Sequence, residues 1–142
     1  MARAMGLDVG TKTIGVALSD ELGLVAHPVL TVARKGVAKD CEVLAKLVGD
    51  KAVDRIVVGL PYELDGSEDR SARLARQIGV AMGERTGLPV VYVDERYSSV
   101  AAERMLIGRG VSRKKRDQVI DQAAAVVILQ SWLDHGDSVR EI

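Results

Sequence analysis

The feature that most constrains this chain is a change of hydrophobic period near residue 36. Before it, apolar residues alternate. Residues 4–9, AMGLDV, place Met5, Leu7 and Val9 on one face and Gly6 and Asp8 on the other. Residues 14–19, IGVALS, repeat the pattern, with Ile14, Val16 and Leu18 against Gly15, Ala17 and Ser19. The intervening GTKT carries Gly10 and predicts a β-hairpin. A third strand is expected over roughly 23–32, after a turn at Asp20–Gly23, and Pro28, having no N–H to donate, places it at a sheet edge. Beyond it the period lengthens. Val37, Cys41, Leu44 and Val48 recur at helical spacing, with Gly49 as the expected stop.

The rest of the chain alternates between the two periods. Residues 54–60, DRIVVGL, form a β-branched apolar run suited to a strand covered on both faces. A loop at 61–67 leads to a helix over 68–85, with Leu74, Ile78 and Met82 four residues apart. A strand is expected at 89–94, a short helix at 99–107 and a basic loop at 108–117. A last helix covers 118–134, with Ile120, Ala124, Val127 and Ile128 inward, and 135–142 are expected to fray. Three antiparallel strands followed by alternating helices and strands imply an α/β fold: a mixed sheet with helices on both faces. A chain of 142 residues suits one domain spanning 1–142.

Composition removes several classes. With no Phe and only 3% aromatic residues, the core must be aliphatic. Twenty basic and 20 acidic residues give zero net charge, so nucleic-acid binding would require local segregation of charge. The single Cys41 excludes an internal disulfide, and a zinc-type ligand spacing is absent. Neither a membrane span nor a secretory leader is legible, so a cytoplasmic protein is expected.

Sites in open α/β sheets gather at the carboxyl ends of strands. Asp8 lies near the end of the first strand. Asp94 and Glu95 lie at the end of the last, in VDERYSS, and Asp121 lies in the expected first turns of the last helix. Carboxylates that converge repel one another unless a cation lies between them, and Mg²⁺ or Mn²⁺ takes oxygen ligands. A pair of such ions ~4 Å apart can activate water and stabilise a leaving oxygen in phosphodiester cleavage. On that reading, the glycines beside Asp8 clear a floor for metal and phosphate. Each acid also has a plainer role. Asp8 suits a turn, and Asp94 suits a helix N-cap or a partner for Arg96. Glu95–Arg96 suits a surface pair, and Asp121 suits the flank of a buried face.

Arg109, Arg113, Lys114, Lys115 and Arg116 fall within eight residues, immediately before the helix bearing Asp121. A basic loop beside an acidic cluster suits a polyanion, and phosphate contacts position nucleic acid without reading its sequence. The plainer role is a solvated loop. Lys12 and Arg96 also lie where they could reach phosphate, and Tyr97 suits base stacking or packing. Cys41 reads as core, and neither His27 nor His135 has an evident nucleophile partner. Neither a GxxxxGK[ST] loop nor a GxGxxG motif occurs.

LDVGTKTIGVALSD, VVGLP at 57–61, VDERYSS at 93–99 and DQVIDQAAAVVILQSWL at 117–133 together resemble the YqgF family, also called RuvX. The resemblance covers nearly the whole chain. It implies a ribonuclease H-like fold related to RuvC-type resolvases. It also implies a metal-dependent nuclease that processes the 5′ end of pre-16S rRNA, resolves four-way DNA junctions, or both. The family's acids fall on Asp8, Glu95 and Asp121, as ligands for Mg²⁺ or Mn²⁺. Resolving a symmetric junction would suit a homodimer. Two other functions fit parts of this pattern. DVGTKTIGVALSD also resembles the first phosphate loop of actin-type and sugar-kinase ATPases, which clamp nucleotide between two domains. A non-catalytic RNA-binding assembly factor could keep the same fold.

Overall fold

A computed structural model describes residues 3–60, 70–94 and 113–135, the side chains of 113–121 excepted. Five strands form one mixed sheet in the order β3-β2-β1-β4-β5. β1 (Arg3–Val9) and β2 (Thr13–Ser19) make the expected hairpin, with Met5 opposite Leu18 and Asp8 opposite Gly15. β3 (Ala26–Ala33) pairs antiparallel with β2 and forms one edge. Its register shifts where Val16 faces Leu30 but Ala17 faces Pro28, leaving Val29 as the extra residue. A proline beside a bulge on an edge strand leaves the ladder without a missing donor. β4 (Val53–Leu60) runs parallel to β1, and β5 (Val90–Asp94) runs parallel to β4.

The helices cover both faces, as expected. α1 (Val37–Asp50) and α2 (Arg70–Thr86) lie on one face and bury Cys41, Leu44, Ile78 and Met82 against Met5, Leu7, Ile14 and Val16. α1 outruns the stop expected at Gly49. The chain turns instead at Ala52, with φ 53. α3 (Arg113–His135) lies on the other face, where Ala125, Ile128 and Leu129 pack on Ala4, Ala17, Val57 and Val93. The alternation in β1 and β2 thus sorts large residues toward α1 and α2 and small ones toward α3. That asymmetry brings α3 close to the sheet.

α3 begins earlier than expected, at Arg113 rather than 118. Arg113–Arg116 therefore form its first turn and are not loop residues. Lys and Arg are good helix formers, so a cationic run does not break a helix. Asp121 consequently falls in the third turn, not the first turns. Among its expected inward residues, Ala124 and Ile128 are buried, Val127 is half-buried, and the Ile120 side chain lies outside the described residues. The expected helix at 99–107 and tail beyond His135 also lie outside them. No helix among the described residues is long and apolar enough to cross a membrane.

Candidate active site

The carboxyl ends of β1, β4 and β5 define one end of the sheet. The β1–β2 turn, the exit of β3 and the starts of the described α1, α2 and α3 lie at that same end. Asp8 is half-buried there, the penultimate residue of β1. Strand parity groups it with Ala4 and Gly6 on the α3 face.

Gly6 has a different role from the one expected. A Cβ there would stand 2.6 Å from the Leu129 Cβ and 3.0 Å from the Ala125 carbonyl oxygen. The space beside Asp8 at Gly6 is filled by α3, so Gly6 is not a floor for phosphate. Gly10 serves the turn: its N–H donates to the Thr13 carbonyl at 2.8 Å, and a Cβ would stand 3.1 Å from that oxygen.

Two glutamines fix the direction of α3. Gln130 Oε1 accepts from the Ala26 N–H at 2.8 Å, at the start of β3. Gln122 Nε2 donates to Thr31 Oγ1 at 3.0 Å, toward its end. Thr31 pairs with Gly15, which pairs with Asp8, so Gln122 lies at the sheet row of Asp8. α3 therefore runs antiparallel to β1. From the Gly6–Ala125 contact, two strand residues advance about 6.7 Å to Asp8. Four helical residues advance about 6 Å to position 121. The α3 backbone thus brings position 121, in the row of Ala125 and Leu129, to the level of Asp8.

Asp94 closes β5 opposite Leu60. Val91 and Val93 face α3, whereas Val90 and Tyr92 face the other side, so Asp94 has the parity opposite to Asp8. Glu95, Arg96 and Arg109 lie outside the described residues. Lys12 is exposed at the tip of the β1–β2 turn. Arg113, Lys114, Lys115 and Arg116 share the end of Asp8 by their backbone position.

Two residues absent from the sequence reading organise this turn. Arg34 donates its backbone N–H to the Lys12 carbonyl at 2.9 Å and its Nη1 to the Gly10 carbonyl at 2.8 Å. Its Nε donates to Asp40 Oδ2 at 2.7 Å. Asp40 is only 1% exposed, and its Oδ1 accepts the Lys35 N–H at 2.9 Å. An ion pair between the half-buried Arg34 and the buried Asp40 thus ties the turn carrying Lys12 to the first turn of α1. Asp40 lies one position before Cys41 in a helical period, so only its tertiary partner distinguishes it from a surface acid.

Among the described residues, no three His, Cys, Asp or Glu side chains converge to hold a metal ion. A donor set built on Asp8 would draw its other carboxylates from Glu95 and Asp121. Such an all-oxygen set suits Mg²⁺ or Mn²⁺ rather than a soft metal.

The whole chain also matches known proteins. The RuvX family profile, described as Holliday junction resolvase, matches residues 2–135. A Myxococcus xanthus protein named "Putative pre-16S rRNA nuclease" is 48% identical over 132 residues, covering 93% of this chain and 87% of that protein. A Geobacillus kaustophilus protein of the same name is 48% identical over 134 residues, covering 93% and 97%. The fold is similar to that of Thermus thermophilus RuvC, solved in complex with a Holliday junction substrate. That match has a TM-score of 0.61 and 15% identity over 100% of both chains. The fowlpox virus Holliday junction resolvase gives a TM-score of 0.58 at 12% identity, covering 93% of this chain and 98% of that one. With its sequence matched almost end to end, the chain belongs to the RuvX family of nucleases.

Proposed function

We propose that this chain is a divalent-metal-dependent nuclease that hydrolyses phosphodiester bonds in structured nucleic acid. The candidate substrates are the 5′ end of pre-16S rRNA and four-way DNA junctions. The names borne by its relatives and by its family support that substrate class. The observation that carries the site is the placement of Asp8 on the α3 face, with the α3 backbone bringing position 121 to its level. Asp8, Glu95 and Asp121 would hold Mg²⁺ or Mn²⁺. A pair of such cations supplies activation of water and neutralisation of the leaving oxygen.

The chain's own residues provide the rest. Lys12, on the turn held by Arg34, would bind a phosphate beside Asp8. Arg96, Arg109 and the first turn of α3, Arg113–Arg116, would hold the flanking backbone without reading its sequence. The unit acts as one ribonuclease H-like domain in the cytoplasm, and a homodimer would present two such sites to a symmetric junction.

The test is cleavage by purified wild-type and Asp8→Asn protein. The labelled substrates are single-stranded RNA, a pre-16S 5′-leader fragment, duplex DNA and a four-way junction, each with Mg²⁺, Mn²⁺ or EDTA. Cleavage of one substrate only with metal and only by wild type is expected. Cleavage retained by Asp8→Asn would remove Asp8 from the mechanism. Metal-independent binding without cleavage by either protein would make the chain a binding factor.

A further inference from the structure

The zero net charge leaves open how a polyanion would be held beyond the immediate site, and α2 supplies an answer. Arg70, Arg73 and Arg76 recur every third residue from the start of the described helix and span about 9 Å of its axis. All three line a groove of about 550 Å³, bounded at one side by Val37 at the start of α1. Arg70 and Arg73 are exposed. Arg76 is half-buried with its guanidinium over the Tyr92 ring, 5.1 Å from the centroid. Burial raises the Tyr92 phenol above its ordinary pKa. Like charges three residues apart on a helix repel and are unfavourable unless an anion joins them. Among the described residues, no carboxylate lies within ion-pair distance of Arg70 or Arg73. Among the described residues, the acid lining the groove is Glu84, near the C-terminal end of α2.

The position of this row matters as much as its charge. α2 begins at the end of the sheet that carries Asp8 and lies on the face opposite α3. We propose that Arg70, Arg73 and Arg76 form a second phosphate-binding track, which holds the phosphodiester backbone of the nucleic acid whose scissile bond lies at Asp8. The track and the first turn of α3 then grip the substrate from the two faces of the sheet. This rests on the nuclease reading for the identity of the ligand. It adds the surface that makes a chain of zero net charge competent to bind it.

Binding of a labelled four-way DNA junction and a labelled RNA hairpin, measured by fluorescence anisotropy across a salt series, tests the track. The background is Asp8→Asn, so that substrate survives, and wild-type cleavage is assayed separately. Arg70→Gln/Arg73→Gln removes exposed charges only and should weaken binding roughly tenfold at low salt. It should also make the slope of log K against log salt shallower by about two, one per lost phosphate contact. Arg70→Lys/Arg73→Lys should keep the slope. Arg85→Gln removes an exposed charge from the opposite end of the same helix and should change neither quantity. If the Arg70/Arg73 variant changes binding no more than Arg85→Gln, the track is overturned. With wild-type cleavage intact, the nuclease reading survives that result. Weakened binding and a shallower slope without cleavage by wild type would uphold the track and overturn the nuclease reading.

Discussion

The two ends of the sheet are built from the same strands and tied by polar contacts of the same kind, but those contacts differ in burial. At the end carrying Asp8, polar contacts tie the backbone. Arg34 binds two carbonyls of the β1–β2 turn and the buried Asp40, and Gln122 pins α3 to Thr31. At the opposite end, Asp20 caps its own turn by accepting the Leu24 and Val25 N–H groups, and Gln130 joins that loop to α3. This far loop exposes Leu22 and Leu24, at 67% and 62%. The contrast lies in burial: the near clamp is enclosed, whereas the far turn faces water. An enclosed ion pair is strongly destabilising to break from one side, because it strands a charge. A solvated turn can lose a contact and recover it from water. The β1–β2 turn beside Asp8 is thus tied to α1 by a contact that water does not readily replace.

The largest expected effect on stability follows from that difference. Asp40→Ala strands the Arg34 guanidinium and the Lys35 N–H, and should cost about 3–5 kcal/mol in urea unfolding. A cost under about 1 kcal/mol would mean that the clamp does not hold the near end. Next, Gly6→Ala forces a methyl against Leu129 and should cost about 1–3 kcal/mol. Because α3 must move away from β1, cleavage should fall as well. Full activity in a folded Gly6→Ala protein would detach α3 from the site.

The two glutamines of α3 give a paired comparison of smaller size. Gln130→Ala removes bonds to Ala26, Leu24 and Asp134 and should cost about 1–2 kcal/mol, with cleavage at saturating substrate unchanged. Gln122→Ala removes one bond, to Thr31, and should cost about 1 kcal/mol or less. Its cleavage should nonetheless fall, because that bond sets α3 at the row of Asp8. Equal activity losses in the two variants would erase the distinction between the ends.

The smallest effect concerns acid. The N–H groups of Val25 and Leu24 hold the exposed Asp20 carboxylate below its ordinary value of 3.8. The folded protein then binds fewer protons at that group than the unfolded chain. The contribution is complete above the ordinary value and is lost as pH falls through the lowered one. Asp20→Ala should flatten the acid limb of a melting-temperature profile slightly and leave cleavage at neutral pH intact. A large change in cleavage would show that the far turn bears on the site.

Much of this could be read along the chain. The period of two in AMGLDV and IGVALS led to the hairpin, and Pro28 led to the edge, because alternation and a missing N–H act locally. The end of α1 and the start of α3 were misplaced. Gly49 has open space around it and does not stop a helix by itself, and a run of Arg and Lys extends a helix as well as it decorates a loop. Arg34 and Asp40 were missed because neither has a sequence signal. Their importance lies in a 2.7 Å contact and its enclosure.

The sequence by itself determined the α/β order of the described elements, because hydrophobic period is local, and, through the resemblance its motifs carry, the family and the acids Asp8, Glu95 and Asp121 as candidates. Only the tertiary structure decided what the space at Gly6 is for, which way α3 crosses the sheet, and that cations from α2 and α3 share one end with Asp8. Those depend on which surfaces meet, and contact between residues more than a hundred positions apart leaves no trace in the local pattern of either.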